Sequence, residues 1–235
     1  MPHTFVLVHG AWRDSRAWAG VAEHLRSCGH DVYTPTIAAA GLDEAIDSLV
    51  DYIEREDLSD VVLVGHSLGG LYISLAAPRV ASRLRRLVYL AAFVPTDGAS
   101  LYDLMPGPAA TYFRDTTGDD GRIVQPFGRV RDLYLSSLDA DAARAAYAEM
   151  IPQPAAVFDT RVDTSDFDAL LASGTLPVSY IDVTGDRVMG PAGWYACFAE
   201  RLGPARLVQV CGQSHEITHT APELTAAAII DAGRE

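Results

Sequence analysis

The chain has 235 residues, and its 31 acidic against 18 basic side chains leave a formal charge of −13. That length suits one domain or one domain with a lobe, and an apolar fraction of 49% is too high for a disordered chain. The charge opposes binding to a nucleic-acid backbone or to anionic lipid, and with every cation an arginine, chemistry that needs a catalytic lysine is excluded.

The amino terminus runs from Met1-Pro2-His3-Thr4 directly into a short apolar segment, with neither a secretory leader nor a membrane span in view. Three cysteines (Cys28, Cys197, Cys211), without close pairs, read as mostly buried, reduced thiols of a cytoplasmic protein. The first half then alternates. Phe5–Val8 is a continuous apolar run closed by His9-Gly10. Residues 15–28 repeat apolar positions at helical spacing, and Asp31–Thr34 is a strand stopped by Pro35. Residues 42–56 place Leu42, Ala45, Ile46, Leu49, Val50 and Ile53 on one helical face. Val61–Val64 is a third strand, residues 68–77 a helix stopped by Pro78, and residues 87–92 a fourth strand.

From 97 to about 165 the pattern becomes rich in Gly, Pro, Asp and scattered aromatics, with residues 139–150 helical behind an Asp139 N-cap. That is too long for a structureless loop and reads as an inserted cap. Strands at 178–184 and 206–210 and helices at 191–202 and 221–232 complete the chain. Runs apolar throughout, alternating with helices, predict a doubly wound, mostly parallel α/β sheet of about six strands. The expected organisation is a single domain over 1–235, with core 1–96 and 166–235 and the cap between.

The most informative stretch is Val64-Gly65-His66-Ser67-Leu68-Gly69-Gly70. It carries Gly-x-Ser-x-Gly between a predicted strand and a predicted helix, the setting of a nucleophile elbow. Ser67 then needs a general base. In this fold the base comes last, and of the seven histidines only His215 and His219 follow Ser67. His215 is preferred because it lies in the loop after the last strand, at the sheet edge where ligands bind. His215 and His219 have helical ligand spacing but no acidic metalloprotease partner, so no metal is expected. Asp186, one turn after strand 178–184, is the first choice of orienting acid, with Asp97 its competitor. Backbone N–H groups of Ala11 and Leu68 are the expected oxyanion donors. His9 is expected to anchor the loop after the first strand. Trp12, His66, Phe93, Tyr134 and Phe158 are the candidate substrate-binding residues.

These residues resemble the α/β-hydrolase superfamily. More narrowly, they resemble the methylesterase and hydroxynitrile lyase family known from plants and bacteria. The matching pieces are residues 5–12, 29–32, 61–70 and 90–95, and His215 seven residues before Pro222-Glu223-Leu224. The resemblance implies a catalytic triad of Ser67, Asp186 and His215, oxyanion donors at Ala11 and Leu68, no cofactor, and a small ester as substrate. Its S-selective lyases carry threonine and lysine where this chain has Gly10 and Glu216, and a carboxylate at the second place would repel departing cyanide. Hydrolysis of small carboxylic esters is therefore expected. A lyase or cyclase on the same triad, or a low-turnover receptor-like binder, are the alternatives. Dimers are common on this fold, so a homodimer is compatible with it.

Overall fold

A computed structural model describes residues 2–190 and 193–234. Among the described residues eight strands are formed: β1 (Thr4–Val8), β2 (Asp31–Tyr33), β3 (Val61–His66), β4 (Leu84–Leu90), β5 (Arg122–Ile123), β6 (Gln153–Pro154), β7 (Val178–Val183) and β8 (Arg206–Val210). Six of them make one sheet in the order β2-β1-β3-β4-β7-β8, and every neighbouring pair is parallel. β5 and β6 form a small antiparallel insert.

The all-apolar runs lie where both faces are covered. All six residues of β3 are buried, whereas β8, on the sheet edge, alternates and leaves Leu207 exposed. Helix Leu42–Arg55 buries the six apolar residues that share its stripe. It packs on helix Gly69–Ala76, while helix Ala19–Ser27 packs on the terminal helix Pro222–Gly233. From β1 the chain goes outward to β2 and then crosses back to β3. Helices on opposite faces leave a crevice beyond the carboxyl ends of β1 and β3, the general ligand position of open α/β sheets.

Several expectations shift. The helix foreseen at 15–28 opens as a 3-10 turn over Ser15–Trp18. The α-helix ends at Ala76, just ahead of Pro78, but the chain continues as a 3-10 segment, Ala77–Arg83, with Pro78 in its first turn. β4 accordingly starts three residues earlier than its apolar run. The helix foreseen at 191–202 covers Trp194–Leu202, and residues 191 and 192 lie outside the described ones. Cys28, Cys197 and Cys211 are all exposed. They sit at a helix end, on an outward helix face and just past an edge strand. Their exposure removes the burial on which the redox argument rested.

Between β4 and β7 the regular structure is mainly helical, with helices at Leu101–Leu104, Gly107–Asp115, Phe127–Leu133, Ala140–Ala148, Ala156–Asp159 and Ser165–Ser173. Asp139 caps the fourth of these through its carboxylate. No helix among the described residues is long and apolar enough to cross a membrane.

Candidate active site

β3 delivers His66 and Ser67 at the sheet's carboxyl edge, and helix Gly69–Ala76 starts two residues later. So abrupt a reversal forces Ser67 to φ 54°, a left-handed backbone that costs a non-glycine residue energy. Close approach explains the flanking glycines. A Cβ on Gly65 would stand 2.6 Å from the Gly69 carbonyl, and one on Gly69 would stand 2.6 Å from the Val8 carbonyl oxygen.

Opposite the serine stands His215, in the loop after β8. Its Nε2 lies 3.0 Å from Ser67 Oγ, and its Nδ1 lies 2.5 Å from Asp186 Oδ2. A carboxylate only accepts, so Nδ1 carries the proton and Nε2 is left as acceptor for the serine hydroxyl. The Val188 N–H donates to the other Asp186 oxygen. The loops bearing Asp186 and His215 meet closely, for a Cβ on Gly185 would be 2.5 Å from the Gln213 carbonyl oxygen. The competing residues lie elsewhere. Asp97 accepts from the Thr164 N–H, and His219 meets Glu149.

The imidazole is buried, stacked on Trp194 at 5.1 Å and met edge-on by Tyr134 at 5.4 Å. Burial opposes its charged form. The Asp186 charge and hydrogen bond, helped by Glu216, outweigh burial and hold its pKa above the ordinary histidine value.

Ala11 and Leu68 line the same cavity as Ser67, and among the described residues neither amide N–H donates a backbone hydrogen bond. The loop carrying Ala11 is pinned by His9. Its Nδ1–H donates to the Gly10 carbonyl, and its Nε2 accepts the Ile37 N–H. Burial lowers the His9 pKa, in keeping with this neutral bridging form. Trp12 extends the loop toward the inserted segment, donating through Nε1 to Ile123 and through its backbone N–H to Gln153.

The cavity above Ser67 contains about 480 Å³ of empty space, including the part open to solvent. Trp12, Phe93, Tyr134 and Phe158 line it as expected, but His66 does not. His66 is buried beneath the site and donates from Nε2 to the His215 carbonyl at 3.0 Å. It ends a strand whose side chains alternate, which turns its ring away from the face that Ser67 presents. Burial, with His215 adding, depresses its pKa to about 4, so it stays neutral.

Glu216 is also absent from the cavity wall. It is buried against Arg13 at 3.1 Å, and Arg13 in turn donates to the Ala146 carbonyl. Burial pushes its carboxyl up, but Arg13, His66 and His219 prevail and its pKa falls to about 2. Its charge is thus compensated within the fold and does not confront a ligand, which removes the cyanide-repulsion argument at this position. Sequence reasoning missed much of the rest of the wall, including Leu101, Met105, Ala109, Phe113, Arg129 and Leu133. Their signal was spacing, since the first four recur every fourth residue and the last two are one helical turn apart.

A serine hydroxyl bonded to a neutral imidazole with a carboxylate behind it can lose its proton as it attacks an electrophilic carbon. Among the described residues no cluster suited to a metal ion occurs.

Among known proteins, residues 5–228 match the profile of the Alpha/beta hydrolase family. Over 113 residues the chain is 45% identical to the carbendazim hydrolyzing esterase of Nocardioides sp. strain SG-4G, a match covering 43% of this chain and 47% of that one. Over 105 residues it is 36% identical to the alpha-hydroxynitrile lyase of Arabidopsis thaliana, covering 40% and 41%. These matches span less than half the length of either relative. A solved extracellular alpha/beta-hydrolase from a Paenibacillus species has 32% identity and a TM-score of 0.93, with full coverage of both chains. It is described as sharing structural and functional homology with tobacco salicylic acid binding protein 2.

Proposed function

The chain belongs to the alpha/beta hydrolase family, and from that membership we propose that it is a serine esterase cleaving small carboxylic esters through an acyl-enzyme. The observation that carries this is one imidazole bridging Ser67 Oγ and the Asp186 carboxylate. Ser67 Oγ attacks the ester carbonyl as its proton passes to His215 Nε2. Asp186 holds the ring in position and stabilises the imidazolium. The Ala11 and Leu68 N–H groups donate hydrogen bonds to the carbonyl oxygen as negative charge grows on it. Collapse expels the alcohol with the proton from His215. A water molecule, deprotonated by the same nitrogen, then releases the acid and restores Ser67.

Residues 97–165 act in this reading as a cap over a core of 1–96 and 166–235. The cavity they roof is lined mostly by apolar side chains, and its size suits compact esters. Relationship to a carbendazim esterase at 45% identity favours hydrolysis over the alternatives.

The test is turnover of p-nitrophenyl acetate. Many turnovers per chain are expected, with kcat falling by at least about 10³-fold in Ser67→Ala. A single burst that stops points to a receptor-like binder, fast cyanide release from a cyanohydrin to a lyase, and unchanged turnover in the variant overturns the assignment.

A further inference from the structure

Among the described residues lining the cavity over Ser67, Arg129 is the only charged one. It stands on helix Phe127–Leu133, and its guanidinium carbon lies 4.1 Å from the Tyr112 ring centroid and 5.5 Å from that of Phe113. Its Nε is buried without a hydrogen-bond partner. No carboxylate among the described residues pairs with it, whereas other arginines, such as Arg13, Arg79 and Arg131, each meet an acid.

Stacking on an aromatic face occupies only the face of a guanidinium. Its N–H donors lie in the plane of the group and point past the ring edge. The ring contact therefore leaves the buried Nε of Arg129 unsatisfied on an apolar wall. A planar anion with two oxygens matches that fork. The net charge of −13 does not oppose this, because charges more than about 8–10 Å away are screened at physiological salt and the nearest cation decides.

We propose that Arg129 selects ester substrates that carry a free carboxylate on the acid part, so that the preferred substrates are monoesters of dicarboxylic acids. The proposal rests on Ser67 opening esters in this cavity. In the overall step, water and the monoester give the diacid and the alcohol. The distal carboxylate is untouched and held by Arg129 throughout.

The probes are the monomethyl esters of succinic, glutaric and adipic acids at neutral pH. Each is paired with the methyl ester whose free carboxyl is replaced by a primary amide. For the wild-type chain, kcat/KM for the best-fitting anion should exceed that of its amide partner by about tenfold or more, the scale of a charged hydrogen-bonded pair. The ratio should approach one in Arg129→Gln and be partly kept in Arg129→Lys. Binding of the same pairs to Ser67→Ala by calorimetry gives the same ratio without turnover, and it should vanish in the double variant with Arg129→Gln.

A ratio near one at every chain length, a ratio that survives Arg129→Gln, or no detectable binding of any anion to Ser67→Ala overturns the proposal. Discrimination by Ser67→Ala with no turnover by the wild type would sink the esterase reading and, with it, the role in substrate choice, leaving only carboxylate recognition by Arg129 standing. Turnover of the amides without discrimination would do the reverse.

Discussion

Two opposing influences act on the His215 ring. Burial favours the neutral form and the Asp186 carboxylate favours the charged one, with the carboxylate prevailing. A general base works only when unprotonated, so kcat/KM should rise with pH through a limb lying above the ordinary histidine value of 6.5. In Asp186→Asn the carboxylate's contribution is gone and burial remains. The His215 titration, followed by proton NMR, should move to lower pH, and kcat should fall by about 10⁴-fold. Glu216 carries the opposite linkage. Its pKa is depressed from 4.5 to about 2, so its stabilisation is present above its unfolded value and is lost as pH falls through that window. Glu216→Gln leaves the buried Arg13 charge uncompensated and should cost about 3 kcal/mol in urea unfolding at pH 7. The variant should also lose less stability than the wild type between those two pH values. The loop position of His215 and Asp186 was legible in the sequence, because chain order and strand ends define it. The buried placement of Glu216 was not, since Arg13 lies two hundred residues away along the chain.

At the scale of the elements, the elbow depends on backbone contact rather than on side-chain chemistry. Gly69→Ala puts a Cβ into the Val8 carbonyl, and overpacking against backbone of this kind should cost about 1–3 kcal/mol. Gly128 offers the control. It lies inside helix Phe127–Leu133, where a Cβ meets nothing within 4 Å, so Gly128→Ala should stabilise by about 0.5–1 kcal/mol. Denaturant midpoints at unchanged m-value read both. The long amphipathic helix Leu42–Arg55 and the apolar strands were readable because their periodicity is written in consecutive residues. The 3-10 turns were not, because they share apolar spacing with α-helix and differ only in how the chain tightens locally.

Across the whole molecule, the inserted segment is tied to the sheet at several points. Ile151 N–H donates to the Trp12 carbonyl, Arg13 to Ala146, Glu216 N–H to Tyr134, and Ser137 meets Ser214 at 2.8 Å. The rings of Phe113 and Phe158 pack on Trp12. Loosening the segment alone would expose this cluster and the buried Arg13–Glu216 pair beneath it, and would remove the Ala146 carbonyl from Arg13. Thermal unfolding should therefore show one transition, coincident by far-ultraviolet circular dichroism and by tryptophan fluorescence, with Trp12 reporting the junction and Trp18 the core. An early fluorescence change with intact helical signal would show the segment to be a separate unit.

From the residues alone came the alternation of strands and helices, the strained turn at Ser67, and a short set of partners for it. Each depends on neighbours in the chain, through periodicity, small-residue sterics and order of elements. Only the folded molecule decided that His66 points beneath the site, that Arg13 neutralises Glu216, that the cysteines are exposed, and that helices of the insert wall the cavity with one unpaired guanidinium. Those outcomes depend on which distant surfaces pack together, and burial, charge compensation and cavity shape are properties of that packing rather than of any local pattern.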